Sequence, residues 1–135
     1  MDERDRYRKG LEVRRAVLGD EHVDRALGRQ DDLDAEFQDL LTRHAWGEIW
    51  TRPGLPRGTR SLLTLAMTLA LNRAEEFRLH LRASARNGVR RDEVKELLLQ
   101  AAVYCGLPAA NAGFRMAREV FEEMDRDEAK DPPAG

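Results

Sequence analysis

Apolar residues in this chain recur at helical intervals, and glycine and proline fall between the recurrences rather than inside them. Such a chain folds as short helices joined by tight breaks. No stretch keeps the two-residue alternation of Val, Ile, Thr and aromatic residues that a half-buried strand needs. The fold class read from the pattern is therefore all-α, with about six or seven helices.

The breaks set the expected elements. Residues 2–18 form a first helix ended by Gly19 and Asp20, and a short one follows at residues 22–27. From residues 32–33 to about 49, Leu33, Phe37, Leu40 and Leu41 sit at i, i+4, i+7 and i+8, which predicts one inward helical face, with Asp31 or Asp32 as its cap. Residues 50–58 hold two prolines and two glycines in nine positions, which only a loop accommodates. Residues 60–71 are apolar on nearly every side and predict a central helix surrounded by neighbours. Residues 74–86 form the next helix, closed by Asn87 and Gly88. Residues 91–105 follow, with Val94, Leu97, Leu98, Ala101 and Cys105 on one stripe. A last helix starts near Pro108 and runs to about residue 123, with Phe114, Ala117, Phe121 and Met124 inward. We expect one helical domain over residues 1–125, and residues 126–135 as a polar, Pro-containing tail that does not pack.

With 135 residues the chain can bury one ordinary core without staples. Its 23 basic and 25 acidic residues leave a formal charge of −2, with the two signs interleaved, so no basic face marks a nucleic-acid binder. One cysteine, Cys105, excludes an intramolecular disulfide, a Cys-x-x-Cys pair and a multi-cysteine zinc site. The expected compartment is the reducing cytoplasm. The first ten residues carry seven charges, unlike an export signal. The strongest apolar run, residues 62–71, is about half of the roughly 20 residues that span a bilayer. No membrane association is expected.

Two places could carry chemistry. The helix at residues 74–86 puts Phe77, His80, Leu81, Ser84 and Ala85 on one stripe and Arg78, Arg82 and Arg86 on the other, so the His80 imidazole faces inward. Burying it without a partner costs on the order of 1–3 kcal/mol, so a polar group must meet it; it is either a satisfied core histidine or a catalytic one. The second place is residues 43–54, where Trp46, Trp50, His44, Glu48, Arg43 and Arg52 crowd a helix end and its loop. His44 and Glu48 are four apart and share a face. Such a mixture of rings and ionisable groups lines ligand sites, or else the tryptophans seal the core while the charges are solvated. Cys105, on an apolar stripe, reads as a small buried hydrophobe. His22, His44 and His80 lack metal-ligand spacing, so no metal site is expected, and no phosphate-binding glycine loop or nucleophile elbow is present.

Four stretches resemble the 4-carboxymuconolactone decarboxylases: residues 7–26 (YRKGLEVRRAVLGDEHVDRA), residues 46–55 (WGEIWTRPGL), residues 59–67 with 79–82, and residues 87–114 (NGVRRDEVKELLLQAAVYCGLPAANAGF). The length resembles the stand-alone enzyme rather than versions fused to an enol-lactone hydrolase. The wider superfamily, of alkylhydroperoxidase D-like helical proteins, carries a Cys-x-x-Cys-x-x-x-His motif. With His80 as the motif histidine, the cysteine positions fall on Arg73 and Glu76, so the redox thiols are missing and a peroxidase reading fails. Pro56 stands where related sequences tend to have a helix-capping aspartate.

The resemblance implies a compact multi-helix homo-oligomer, hexamer or trimer, acting in protocatechuate catabolism through the β-ketoadipate pathway. The implied reaction is loss of CO2 from 4-carboxymuconolactone to give β-ketoadipate enol-lactone, with no metal or organic cofactor. Its chemistry needs a grip on a dianionic lactone carboxylate, stabilisation of charge on the lactone oxygen and protonation of a ring carbon. The residues implied for these tasks are His80 as general acid or donor to the lactone oxygen, and Glu48 to orient or charge-tune it. Arg52, with Arg82 or Arg43 behind it, would bind a carboxylate, and Trp46 and Trp50 would wall the pocket. The readings kept beside this are a non-enzymatic helical oligomer, and a decarboxylase or isomerase acting on another lactone or keto acid.

Overall fold

A computed structural model describes residues 2–130. These carry seven α-helices and no strand: α1 (Glu3–Leu18), α2 (Asp20–Gly28), α3 (Ala35–Leu40), α4 (Arg57–Ala70), α5 (Ala74–Ser84), α6 (Arg91–Tyr104) and α7 (Leu107–Lys130). A π-helix, Leu41–Ile49, continues α3, and a 3₁₀ turn, Ala85–Asn87, closes α5. The all-α reading holds. The chain divides near residue 60 into two compact units.

In the first unit the Asp2 side chain accepts from the Asp5 N–H and caps α1, one of the donors that a helix start otherwise leaves unmet. α1 packs on the π-helix through two glycines. A Cβ on Gly10 would strike the Thr42 carbonyl and lie 2.8 Å from the Gly47 nitrogen, and one on Gly47 would strike the Arg6 carbonyl. Only hydrogen lets the two backbones come that close. Val17, Val23 and Trp46 are buried nearby.

The π-helix corrects the regular helix expected up to residue 49. Its i→i+5 bonding, continued by Trp50 N–H to the Ala45 carbonyl, widens each turn. The expected apolar face is corrected too: Leu33 lies ahead of α3 and is 92% exposed, and Phe37 and Leu40 are also exposed. Periodicity defines a stripe but not what covers it. Nor do Asp31 and Asp32 cap α3. Asp34 holds the N-cap position without a side-chain cap bond, while the Asp31 carboxylate accepts from the Leu33 N–H in the preceding turn.

The second unit is built around Leu65, Leu69, Phe77, Leu81, Val94, Leu98 and Val120. Gly113 of α7 sits against the side chains of Leu98 and Leu69. Gly88 (φ +80°) takes the left-handed conformation that turns the chain out of α5, as its position predicts. α4 is not surrounded on all sides. Ser61, Leu65 and Leu69 are buried, whereas Leu63 and Met67, four apart on another face, and Leu71 just past the helix end are exposed. Cys105 is likewise exposed, since α6 ends at Tyr104 and the thiol lies past the buried stripe of Val94, Leu98 and Ala101.

α7 runs beyond residue 123, to Lys130. Its polar end is tied down: Arg91 forks onto both oxygens of Asp125 at 2.7 and 3.1 Å and covers the Phe121 ring at 4.5 Å. Residues 131–135 of the expected tail lie outside the described residues. No described helix is long and apolar enough to cross a membrane.

Candidate active site

The end of the π-helix and the loop after it gather most of the expected residues. Trp46 is buried and Trp50 half-buried, with ring centroids 5.1 Å apart and planes at 31°. The two rings are four residues apart, the spacing that puts helical side chains on one face. On the same helix Glu48 accepts at 3.0 Å from His44 Nδ1, both side chains being half-exposed. The imidazole that the Glu48 carboxylate meets here is thus that of His44. Thr51 Oγ1 donates to the Gly47 carbonyl, and the Arg52 N–H to the Ile49 carbonyl, so the helix leads into a defined loop.

Arg52 and Trp50 line an open cleft of about 440 Å³ in the first unit. Two further cations, Lys9 of α1 and Arg57 at the start of α4, line the same hollow, with Glu12 as its one carboxylate and Val13 and Leu55 as apolar walls. Among the described residues none of these three cations forms an ion pair. Lys9, Glu12 and Arg57 were not in the sequence reading. Lys9 and Glu12 stand at least 40 positions before Arg52 and Arg57 along the chain, so no local motif announces the set; only the seating of α1 against the π-helix collects it.

The other two candidate arginines, Arg43 and Arg82, are engaged. Arg43 donates to Asp39 and Glu3 at 2.7 and 2.8 Å, and these carboxylates hold its pKa above the ordinary arginine value. Arg82 donates to Glu123 at 2.9 Å, beside Arg78 on Glu119 at 2.6 Å, both clasping α5 to α7. Glu123 is held below the usual carboxylate range, first of all by its bond to Arg82. The Arg82 guanidinium serves that pair.

His80 lies in the second unit on the inner side of α5, 6% exposed, in the same buried run as Phe77, Leu81 and Ser84. The inward imidazole expected from the stripe is there. Ser84 Oγ donates to the Leu81 carbonyl and Asn87 Nδ2 to the Ala83 carbonyl, which secures the end of this helix.

Elsewhere in the first unit, Arg14 is 4% exposed and donates to Thr42 Oγ1 at 3.3 Å and Gln38 Oε1 at 2.9 Å. These neutral acceptors hold the junction of α3 and the π-helix. Burial lowers the Arg14 pKa. Burial also lowers that of His22, with Arg14, Arg25 and Arg29 adding to the effect. Among the described residues no three His, Cys, Asp or Glu side chains gather as metal ligands.

Paired tryptophans beside an arginine-lined cleft sized for a small anion, on a helical scaffold, fit the class of small-molecule enzymes. The chain is a member of the carboxymuconolactone decarboxylase family, whose model matches residues 35–119. It is 54% identical over 124 residues to the 4-carboxymuconolactone decarboxylase of Acinetobacter baylyi, covering 92% of each chain. It is 39% identical over 127 residues to nitrosuccinic acid decarboxylase npaB of Metarhizium robertsii, covering 93% of this chain and 89% of that one. A 4-carboxymuconolactone decarboxylase sequence from Pseudomonas putida is 58% identical over 48 residues, 36% of this chain and all of that sequence.

Proposed function

We propose that this protein is a carboxy-lyase that converts 4-carboxymuconolactone to β-ketoadipate enol-lactone without a cofactor, in the catabolism of protocatechuate. The observation that carries the reading is the likeness, over nearly the full length of both chains, to the Acinetobacter decarboxylase. The cationic cleft at Arg52 agrees with it, because the substrate is a dianion.

The reaction needs no external electron sink. The bond between the ring carbon and the departing carboxylate breaks, CO2 leaves, and the electron pair flows through the double bond onto the lactone carbonyl oxygen. A proton then adds to the ring carbon. We assign that proton to His80, as general acid or as donor to the lactone oxygen. Arg52 takes the retained carboxylate through its planar fork, in preference to Arg82 and Arg43, whose guanidinium groups are already held by carboxylates. Trp46 and Trp50 supply the wall. Glu48 is assigned the tuning of an imidazole, the function its contact with His44 exemplifies.

The active form is assigned as a homo-oligomer, hexamer or trimer. Exposed apolar residues support this, namely Leu63 and Met67 on α4, Leu71 just past its end, and Val103, Tyr104 and Leu107 where α6 meets α7, because a monomer in water rarely leaves so many large apolar side chains uncovered. Light scattering on a sizing column measures the copy number. The assigned location is the cytoplasm, where an exposed single thiol stays reduced.

The Metarhizium relative favours one second reading, a nitro-substituted succinate as substrate, since a nitro group beside a carboxylate also accepts the electron pair left by CO2. The test is a substrate panel with chelator-treated protein, followed by ultraviolet absorbance and CO2 release. Turnover of the lactone with equimolar CO2 is the expected result. Preference for the nitro acid replaces the substrate, and no CO2 from any of them leaves only a non-enzymatic helical oligomer.

A further inference from the structure

We propose that Lys9 and Arg57 complete, with Arg52, a three-cation cleft that selects small dicarboxylates by holding the carboxylate that stays on the substrate. This rests on the decarboxylase reading above.

Three independent backbone segments deliver these charges to one hollow: α1 brings Lys9, the loop brings Arg52, and the first residue of α4 brings Arg57. A volume of about 440 Å³ suits a small molecule. Three cations against Glu12 leave the lining two charges positive, the counterpart of a dianion. Several other cations of the same unit are already committed, Arg6 to Glu3, Arg15 to Asp20 and Asp24, and Arg43 to Glu3 and Asp39. The cleft cations, with no ion pair among the described residues, can take a ligand without first giving one up.

The seat is also rigid where it matters. Lys9 precedes Gly10, whose contact with Gly47 fixes α1 against the helix that leads to Trp50 and Arg52. The Arg60 guanidinium reaches the Arg52 carbonyl at 3.4 Å and steadies the loop. Trp50 and Leu55 offer an apolar surface for the carbon skeleton while the cations meet its oxygens.

Which carboxylate the cleft holds follows from the reaction. Cations on the departing carboxylate would stabilise the ground state and oppose loss of CO2, whereas cations on the retained carboxylate bind substrate and transition state alike. Lys9 and Arg57 therefore act on KM and leave kcat nearly unchanged.

The test compares Lys9→Met and Arg57→Met with the parent, and with Lys95→Met on α6 as a control for the loss of one positive charge. The expected result is a KM for 4-carboxymuconolactone raised fivefold or more in each cleft variant, kcat within twofold, and parental constants for the Lys95 variant. A KM rise below fivefold, or a loss confined to kcat, overturns the proposal while the decarboxylase reading stands. The second measurement needs no turnover. Succinate, against succinamate as the singly charged probe, is titrated into each protein and read by tryptophan emission. Tighter binding of succinate that is weakened fivefold or more in both cleft variants upholds the cleft even where the parent releases no CO2. Equal binding of the two probes, or binding indifferent to both substitutions, sinks it.

Discussion

Gly10 of α1 and Gly47 of the π-helix face each other with no room for a side chain on either, so the backbones of the two helices touch. That contact aligns Lys9 with the loop that carries Trp50 and Arg52, and it makes two unremarkable glycines determinants of the cleft. Gly10→Ala is expected to destabilise the protein by about 3 kcal/mol, since the obstruction is backbone and cannot rotate away. Gly28→Ala, at the end of α2 with nothing within 4 Å, is expected to stabilise by about 0.5–1 kcal/mol. Urea unfolding of both variants measures the contrast, and equal shifts would refute the packing argument.

Arg14 is a buried guanidinium met by two neutral acceptors. Arg14→Ala removes both bonds and leaves a void, and is expected to destabilise by about 2–4 kcal/mol. Arg14→Met refills the space and removes a buried charge, so it is expected to lose less than half as much. If the alanine variant were the more stable of the two in urea, the guanidinium would not be packing the junction at all.

His22 prefers to be neutral in the folded chain, because burial first, and then Arg14, Arg25 and Arg29, depress its pKa below the usual 6.5. The unfolded chain takes up a proton near pH 6.5 and the folded chain resists it. The resulting stability is complete above that pH and is lost as the pH falls below it. The melting temperature of the parent is therefore expected to drop more between pH 7.5 and 5.5 than that of His22→Gln, by scanning calorimetry. Parallel curves would show that His22 titrates alike in both states.

His80→Gln keeps polarity and approximate size at a buried position while removing the titratable proton. The expected loss in kcat is two to four orders of magnitude, the usual contribution of a general acid, with the melting temperature held within a few degrees. Activity within about threefold of the parent in a folded variant removes His80 from the mechanism.

Much of the fold is legible along the chain. Gly19, Gly88, Gly106 and Pro53 interrupt the helices where the structure interrupts them, because backbone geometry at glycine and proline is a local property. The inward side of His80 is legible for the same kind of reason, since neighbours at i+1 and i−3 place it on a stripe with Leu81 and Phe77. The stripe does not say what lies over it. Leu33, Phe37 and Met67 repeat like core residues and are exposed in the chain, and Cys105 continues an apolar series one residue past the end of its helix.

What the sequence determined by itself is the class of fold, most of the breaks between helices, the inward imidazole and the family to which the WGEIWTRPGL and YCGLPAAN strings point. All of these rest on residues near one another along the chain. The tertiary structure alone decided that residues 41–49, packed on α1, wind as a π-helix, that Arg82 is held by Glu123, and that Lys9 and Arg57 share a hollow with Arg52. Each of these depends on how closely separate segments approach, and that distance is set by packing, such as the room left by two missing methyl groups at Gly10 and Gly47, which no local pattern records.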